Sequence, residues 1–327
     1  MNTKIVTSKA TFPIVAVFAI LLWTAGLNGG SVSDSLPSWF SFATPIPVWA
    51  LETANFLLCC ATIYLLIELN NTFSIIGSRS VLHSWLFLLT WVASPFISHN
   101  LVSNVMLTGF VISIYHLFKS YQRTDSTYEC FYTFACLGGI SLFAPQVVYF
   151  FPFYWFALYQ IQALSLRNFL AGILGIFFSY WWFFAITFVC TGSLTLFVEP
   201  FRTLVFGEYA RLSELSVYEW VMFAFLVVTT TVSGAYSIIN SHRSKLRVRS
   251  FHHFLINLSL YNIFFFLLCP ESGSKVFVVM QIVYCLLSGR LFSQINNRLG
   301  YIFFIASIVI LVTLSLTQAW MSSSLIF

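Results

Sequence analysis

Apolar residues run along this chain in long blocks, broken at intervals by short polar or charged stretches. Eleven blocks stand out, near residues 12–27, 47–69, 84–98, 101–118, 129–144, 146–163, 169–190, 217–238, 254–269, 276–289 and 300–320. A helix crossing a bilayer takes about 20 apolar residues, fewer where flanking groups snorkel or the bilayer thins. The pattern predicts an all-α, polytopic bundle of transmembrane helices with about eleven spans. The third, fifth and tenth blocks are the shortest fits, which sets a range of nine to eleven. No break in composition divides residues 1–327 into separate domains.

Charge placement sets an orientation. With the N-terminus inside and the spans alternating, only Arg202, Arg211 and Lys275 fall outside, and the other twelve of the 15 Lys and Arg fall inside. The positive-inside rule expects this asymmetry. It places the N-terminus in the cytoplasm and the C-terminus outside. Met1 to Lys9 carries two lysines before the first apolar block, and "WTAGLNGG" offers no small-residue cleavage site. The first block is therefore expected to be a retained signal-anchor rather than a cleaved signal peptide.

Composition agrees. The chain has 327 residues, 59% hydrophobic and 8% charged, against about 25% charged in soluble domains. Too few charges remain to cover a water-facing surface. The seven cysteines form no C-x-x-C pair, so no disulfide, zinc or redox site is expected. No metal-binding or phosphate-cradling motif occurs, and no cofactor is expected. Nor does a G-x-S-x-G occur. The aromatic stretches are not interleaved with basic residues, which argues against nucleic acid as a partner.

Polar groups inside the apolar blocks are the candidate chemistry, because burying them in lipid is costly. Glu52, Asn55, Cys59 and Thr62 lie at i, i+3, i+7 and i+10 of the second block, on one helical face. One reading makes Glu52 a ligand-binding or proton-handling carboxylate near the outer side. In the other, Glu52 snorkels outward while Asn55 and Thr62 bond to neighbouring helices. Asn104 and Thr108, the Thr229–Ser233 run, and Asn257, Tyr261 and Asn262 are expected to be interhelical hydrogen-bonding groups. Glu129 follows Ser126, and Glu219 follows Ser216, as S-x-x-E capping boxes. The scattered histidines, His83, His99, His252 and His253 among them, fit interfacial positions.

Three connecting regions add detail. Residues 191–216 form the longest outer segment, where Pro200 opens a candidate helix lying on the membrane surface. "HRSKLRVR" lies in the 239–253 inner loop and places Arg243, Lys245, Arg247 and Arg249 together, as a topology anchor or an anionic-lipid contact. "LFAPQVVYFFPFYWFALYQIQALSLRNF" reads as a tight outer turn at Pro145 followed by a returning span. Pro152 is expected to kink that span, freeing a carbonyl and leaving room for a binding groove.

Several patches resemble an uncharacterised family of multi-spanning inner-membrane proteins from Bacteroidota. They are "LIELNNTFSIIGSRS" from Leu66 to Ser80, "GGISLFAPQVVYFFPFYWFALYQIQALSLRNFLAGILG" from Gly138 to Gly175 with Pro145 and Arg167, and the basic loop before the span ending near Pro270. The resemblance implies the inner membrane of a bacterium and no particular reaction. Three functions stay open. The first is transport or flipping of a lipid-linked or amphiphilic envelope substrate, through a cavity that includes Glu52 and Asn55. The second is structural or assembly work in the envelope. The third is an enzyme acting on lipid, with Glu52 or Asp34 meeting Arg202 or Arg211. The scarcity of chemical groups weighs against the enzyme.

Overall fold

A computed structural model describes residues 11–26, 47–77, 81–192, 216–243, 245–268, 273–294 and 297–324. Every regular element among them is helical: α1 (Thr11–Gly26), α2 (Val48–Phe73), α3 (Leu82–Val92), α4 (Pro95–Ser98), α5 (Leu101–Lys119), α6 (Thr127–Phe143), a 3-10 turn (Pro145–Tyr149), α7 (Phe150–Gln160), α8 (Leu166–Thr191), α9 (Val217–Ile239), a 3-10 turn (Ser241–Arg243), α10 (Leu246–Leu268), α11 (Gly273–Ser293) and α12 (Arg298–Ser324). Helices satisfy their own backbone donors and acceptors, which a chain surrounded by hydrocarbon must do. Nine of the eleven apolar blocks fall on one helix each; the third is divided between α3 and α4, and the sixth between the first 3-10 turn and α7. Among the described residues seven helices, α2, α5 and α8 to α12, are long and apolar enough to cross a membrane. The expectation of eleven crossings goes beyond what these lengths show.

α3 explains part of the difference. Its eleven residues rise about 16 Å, roughly half of a 30 Å hydrocarbon core. All eleven are buried, so α3 is sheathed in protein. Parts of the irregular segments at its two ends are covered as well. Ile75 and Ile76 are fully buried. The Ile76 N–H donates to Asn70 Oδ1 at 3.0 Å, and Gln294 Nε2 donates to the Ile76 carbonyl at 3.4 Å. At the other end the Ala93 carbonyl accepts from Tyr218 Oη, and the Ile97 carbonyl from Asn104 Nδ2. Non-helical backbone is tolerated at membrane depth under such conditions.

α3 and α11 form the centre. In α11, 94% of the membrane-length stretch is buried, and Gln281 Nε2 ties it to α3 through Thr90 Oγ1 at 3.0 Å. Aromatic rings lock the surrounding helices together. Phe223 of α9 stacks on Phe266 of α10 at 4.0 Å between centroids, and Phe118 of α5 stacks on Phe251 of α10 at 4.1 Å. α6 and α8 pair along the most extensive helix–helix seam among the described residues.

Local expectations divide. The Ser216–Glu219 capping box forms at the start of α9. The Ser126–Glu129 box does not: Ser126 Oγ donates to the Arg123 carbonyl, and Glu129 instead meets His116 Nδ1 at 2.6 Å and Lys119 Nζ at 2.9 Å. The last turn of α5 brings these groups beside the first turn of α6. Their charge-assisted bonds are stronger than a neutral amide contact.

Pro152 also differs from expectation. It is the third residue of α7, exposed, and preceded by the 3-10 turn. Its missing N–H falls in a first turn, where no intrahelical acceptor is required. The expected kink is thus a junction of two helix types, and the Tyr149 carbonyl there accepts from Tyr261 Oη at 2.6 Å. Finally, α10 begins at Leu246, well before the expected span, so Arg247 and Arg249 lie on a helix rather than in a loop.

Candidate functional site

The polar stripe of α2 faces inward. Glu52, Asn55, Cys59 and Thr62 are all buried, with Glu52 the most exposed of the four at 5%. α5 and the turn before it supply their partners. His99 Nδ1 lies 3.2 Å from Glu52 Oε1. Asn104 Nδ2 donates to Asn55 Oδ1 at 3.2 Å, and Thr62 Oγ1 lies 2.9 Å from Thr108 Oγ1. Asn104 is the hub. Its Oδ1 accepts from Trp91 Nε1 at 2.8 Å, while its Nδ2 also donates to the Ile97 and Asn100 carbonyls at 2.8 and 3.0 Å. Helical spacing on α2 and α5 therefore brings a ladder of three polar pairs into register. Burial of Glu52 excludes the snorkelling form of the second reading.

The ladder is incomplete at its Glu52 end. Glu52 Oε2, Asn55 Nδ2 and Trp23 Nε1 are buried with no hydrogen-bond partner among the described residues. Each such group costs about 1–3 kcal/mol if left so. Two acceptor- or donor-seeking side chains and an indole N–H thus sit close together, with Trp23 stacked on the His99 ring at 6.1 Å and 5°.

Beside this polar end runs an apolar groove of about 240 Å³ between α1, α2 and α3. Ala16, Ala19 and Trp23 of α1 form one wall, Phe56, Cys59, Cys60 and Ile63 of α2 another, and Leu88 and Trp91 of α3 the floor. Trp23 contacts both Phe56 and Trp91, with centroids 5.6 and 6.2 Å apart. The two tryptophans form the boundary between groove and polar ladder: each faces the apolar space, while Trp91 bonds Asn104 and Trp23 stacks on His99. The arrangement can hold a hydrocarbon body with a hydrogen-bonding group at one end.

The other candidates scatter. Pro152 faces away from the bundle and lines none of the cavities described here. Arg243 closes a 3-10 turn, and Lys245, Arg247 and Arg249 are exposed at the far end from Glu52. Asp34, Arg202 and Arg211, and the surface helix expected after Pro200, lie outside the described residues. Asn257 donates to Gln160 Oε1 at 3.2 Å and Asn262 to the Val276 carbonyl at 2.8 Å, as interhelical bonds. Ser233 meets Ser288 at 3.1 Å, but Thr229, Thr230 and Thr231 bond back to their own helix.

Two of the histidines are a correction. His83 is 1% and His252 3% exposed. His83 Nε2 lies 3.1 Å from the Leu66 carbonyl, and His252 Nδ1 lies 2.6 Å from the Val248 carbonyl. His99, read as interfacial, is the partner of Glu52. Its place at the turn between two apolar blocks was the available signal. Trp23 and Trp91 carried none, because tryptophan near a span end is ordinary belt chemistry. No group of three or more His, Cys, Asp or Glu that could hold a metal occurs among the described residues.

Neither a family model, nor a curated protein, nor a solved structure matches this chain. Its helical architecture fits a membrane-embedded protein, and the functional reading rests on the site itself.

Proposed function

We propose that the protein is a bacterial inner-membrane protein that binds an amphiphile and carries or flips it, as a transporter of a lipid-linked or similar envelope substrate. One observation carries this reading. The apolar groove between α1, α2 and α3 ends on Trp23 and Trp91, and these two rings join it to the polar ladder: Trp23 stacks on His99, the partner of Glu52, Trp91 bonds Asn104, and Glu52 Oε2, Asn55 Nδ2 and Trp23 Nε1 are unpartnered among the described residues. An acyl or prenyl chain fits the groove. The head then takes the open positions: a donor to Glu52 Oε2, an acceptor from Asn55 Nδ2 and Trp23 Nε1. A hydroxyl- or amine-bearing head supplies both. In the proposed orientation, with the N-terminus cytoplasmic and the C-terminus periplasmic, this head position lies toward the periplasm.

The test is retention of native amphiphiles by the full-length protein purified in mild detergent, read by mass spectrometry. The wild type should retain an amphiphile that Ala16→Trp, which fills the groove, loses at least tenfold. Glu52→Gln should weaken retention by roughly five- to tenfold, the loss of one hydrogen bond. Equal retention by wild type and Ala16→Trp would sink the reading.

A further inference from the structure

The opposite end of the bundle holds a second site, independent of the groove. A cavity of about 430 Å³ opens there, lined by Lys119 at the end of α5, by Tyr121, Gln122 and Arg123 of the α5–α6 connection, and by Leu246 and Arg247 at the start of α10. Three cations from three elements converge on it. A water molecule occupies about 30 Å³ of liquid, so the space admits a group much larger than water.

Among the described residues the local charge is not balanced. Lys119 pairs with Glu129, and Asp125 lies 3.8 Å from Arg167 with both side chains exposed. Among the described residues no carboxylate pairs with Arg123 or Arg247. Arg247 is nonetheless held in place: its guanidinium lies over the Phe73 and Phe251 rings, 5.1 and 5.5 Å from their centroids. Stacking of this kind orients the planar fork and leaves its N–H edge for a ligand. Position adds a second term. Arg247 stands in the first turn of α10, where the helix dipole disfavours a cation, so an anion beside it relieves that repulsion. Leu246, 76% exposed, puts an apolar side chain on the lip of the same cavity.

The basic stretch thus divides by helical geometry. Arg247 turns toward Phe73 and the cavity, whereas Arg249 turns the other way, with Nε 3.4 Å from His253 Nε2. We propose that Lys119, Arg123 and Arg247 form a binding site for a phosphate-bearing anion at the cytoplasmic face of the membrane. A phosphodiester of an anionic phospholipid headgroup fits the charges, and Leu246 meets its glycerol and acyl region. Free phosphate shares the chemistry of the two guanidiniums but makes no use of Leu246.

The experiment uses the full-length protein in mixed micelles of phosphatidylglycerol and phosphatidylcholine, with retained phosphatidylglycerol read by native mass spectrometry. Each cation near an anionic headgroup contributes about fivefold in affinity. Arg123→Gln with Arg247→Gln should therefore weaken retention about 25-fold, and Arg123→Gln alone, in a connection rather than a helix, about fivefold. Arg247→Lys keeps the charge without the stacked fork and should retain an intermediate amount, more than Arg247→Gln and less than the wild type, which separates ligand binding from a folding defect. Lys245→Gln with Arg249→Gln removes the same net charge outside the cavity and should change retention less than twofold. A similar loss in that second pair, or no loss in the first, overturns the site. Inorganic phosphate that raises the melting temperature of the wild type, but not of the Arg123→Gln/Arg247→Gln variant, assigns the site to a free anion. Retention of phosphatidylglycerol without a phosphate effect assigns it to the lipid.

Discussion

α8 and α11 are two long apolar helices that hydropathy scarcely distinguishes, yet they lie in opposite surroundings. In α11, 94% of the membrane-length stretch is buried, and in α8 only 17%. Large side chains of its neighbours hold α11: its own Phe277 ring lies 4.8 Å from Phe96 and 5.9 Å from Phe223. It is also held by polar bonds, Gln281 to Thr90 and Ser288 to Ser233. α8 is held along one stripe. Gly172, Gly175 and Ser179 sit against Phe131, Phe134, Ala135 and Gly138 of α6, and Ser179 Oγ donates to the Ala135 carbonyl at 2.7 Å. Its other faces carry Phe177, Trp181 and Trp182, all more than half exposed. Lipid tails are as apolar as leucine, so burial alone does not drive helices together in a bilayer. Shape fit and hydrogen bonds do, and small residues permit close approach. α11 exploits the first two on all sides, and α8 concentrates all three on one seam.

The contrast can be broken by substitution. Phe277→Ala opens a cavity at the centre and should cost about 3–5 kcal/mol, seen as a large drop in the SDS fraction needed for unfolding. A loss below 1 kcal/mol would show that α11 is not tightly packed. Gly175→Ala comes next. A methyl there meets the Phe131 carbonyl oxygen at 2.5 Å and the Ala135 nitrogen at 2.9 Å, both backbone, so the seam must open. Overpacking of this kind costs about 1–3 kcal/mol, and cross-linking between cysteines introduced along α6 and α8 should slow accordingly. Smallest is Trp181→Ala on the lipid face of α8, expected to change stability by no more than about 0.5 kcal/mol. A larger effect would reveal a protein partner on that face and end its description as lipid-facing.

Particular residues show how far the sequence could be read. The inward face of α2 was legible because Glu52, Asn55, Cys59 and Thr62 share one side at helical spacing, and so few polar residues occur elsewhere in that block. The Ser216–Glu219 cap was legible because it is local. Ser126 and Glu129 have the same spacing and a different outcome, since His116 and Lys119 arrive from the preceding helix. Pro152 has a clear rule for a helix interior and none for a helix whose first residue is unknown. The four-residue basic run concealed two faces until the start of α10 was fixed at Leu246.

By itself, the sequence determined that the chain is helical, that its apolar blocks are the helices, and which face of α2 turns inward. These follow from period and from the obligation of the backbone to bond within each segment. Only the tertiary structure decided that α3 is a short helix enclosed by protein, that His99 meets Glu52, and that Trp23 and Trp91 separate a groove from a polar ladder. Each of these depends on which helix lies beside which. Helices in lipid choose neighbours by shape and by a few hydrogen bonds between residues far apart in the chain, and neither leaves a periodic mark in the sequence.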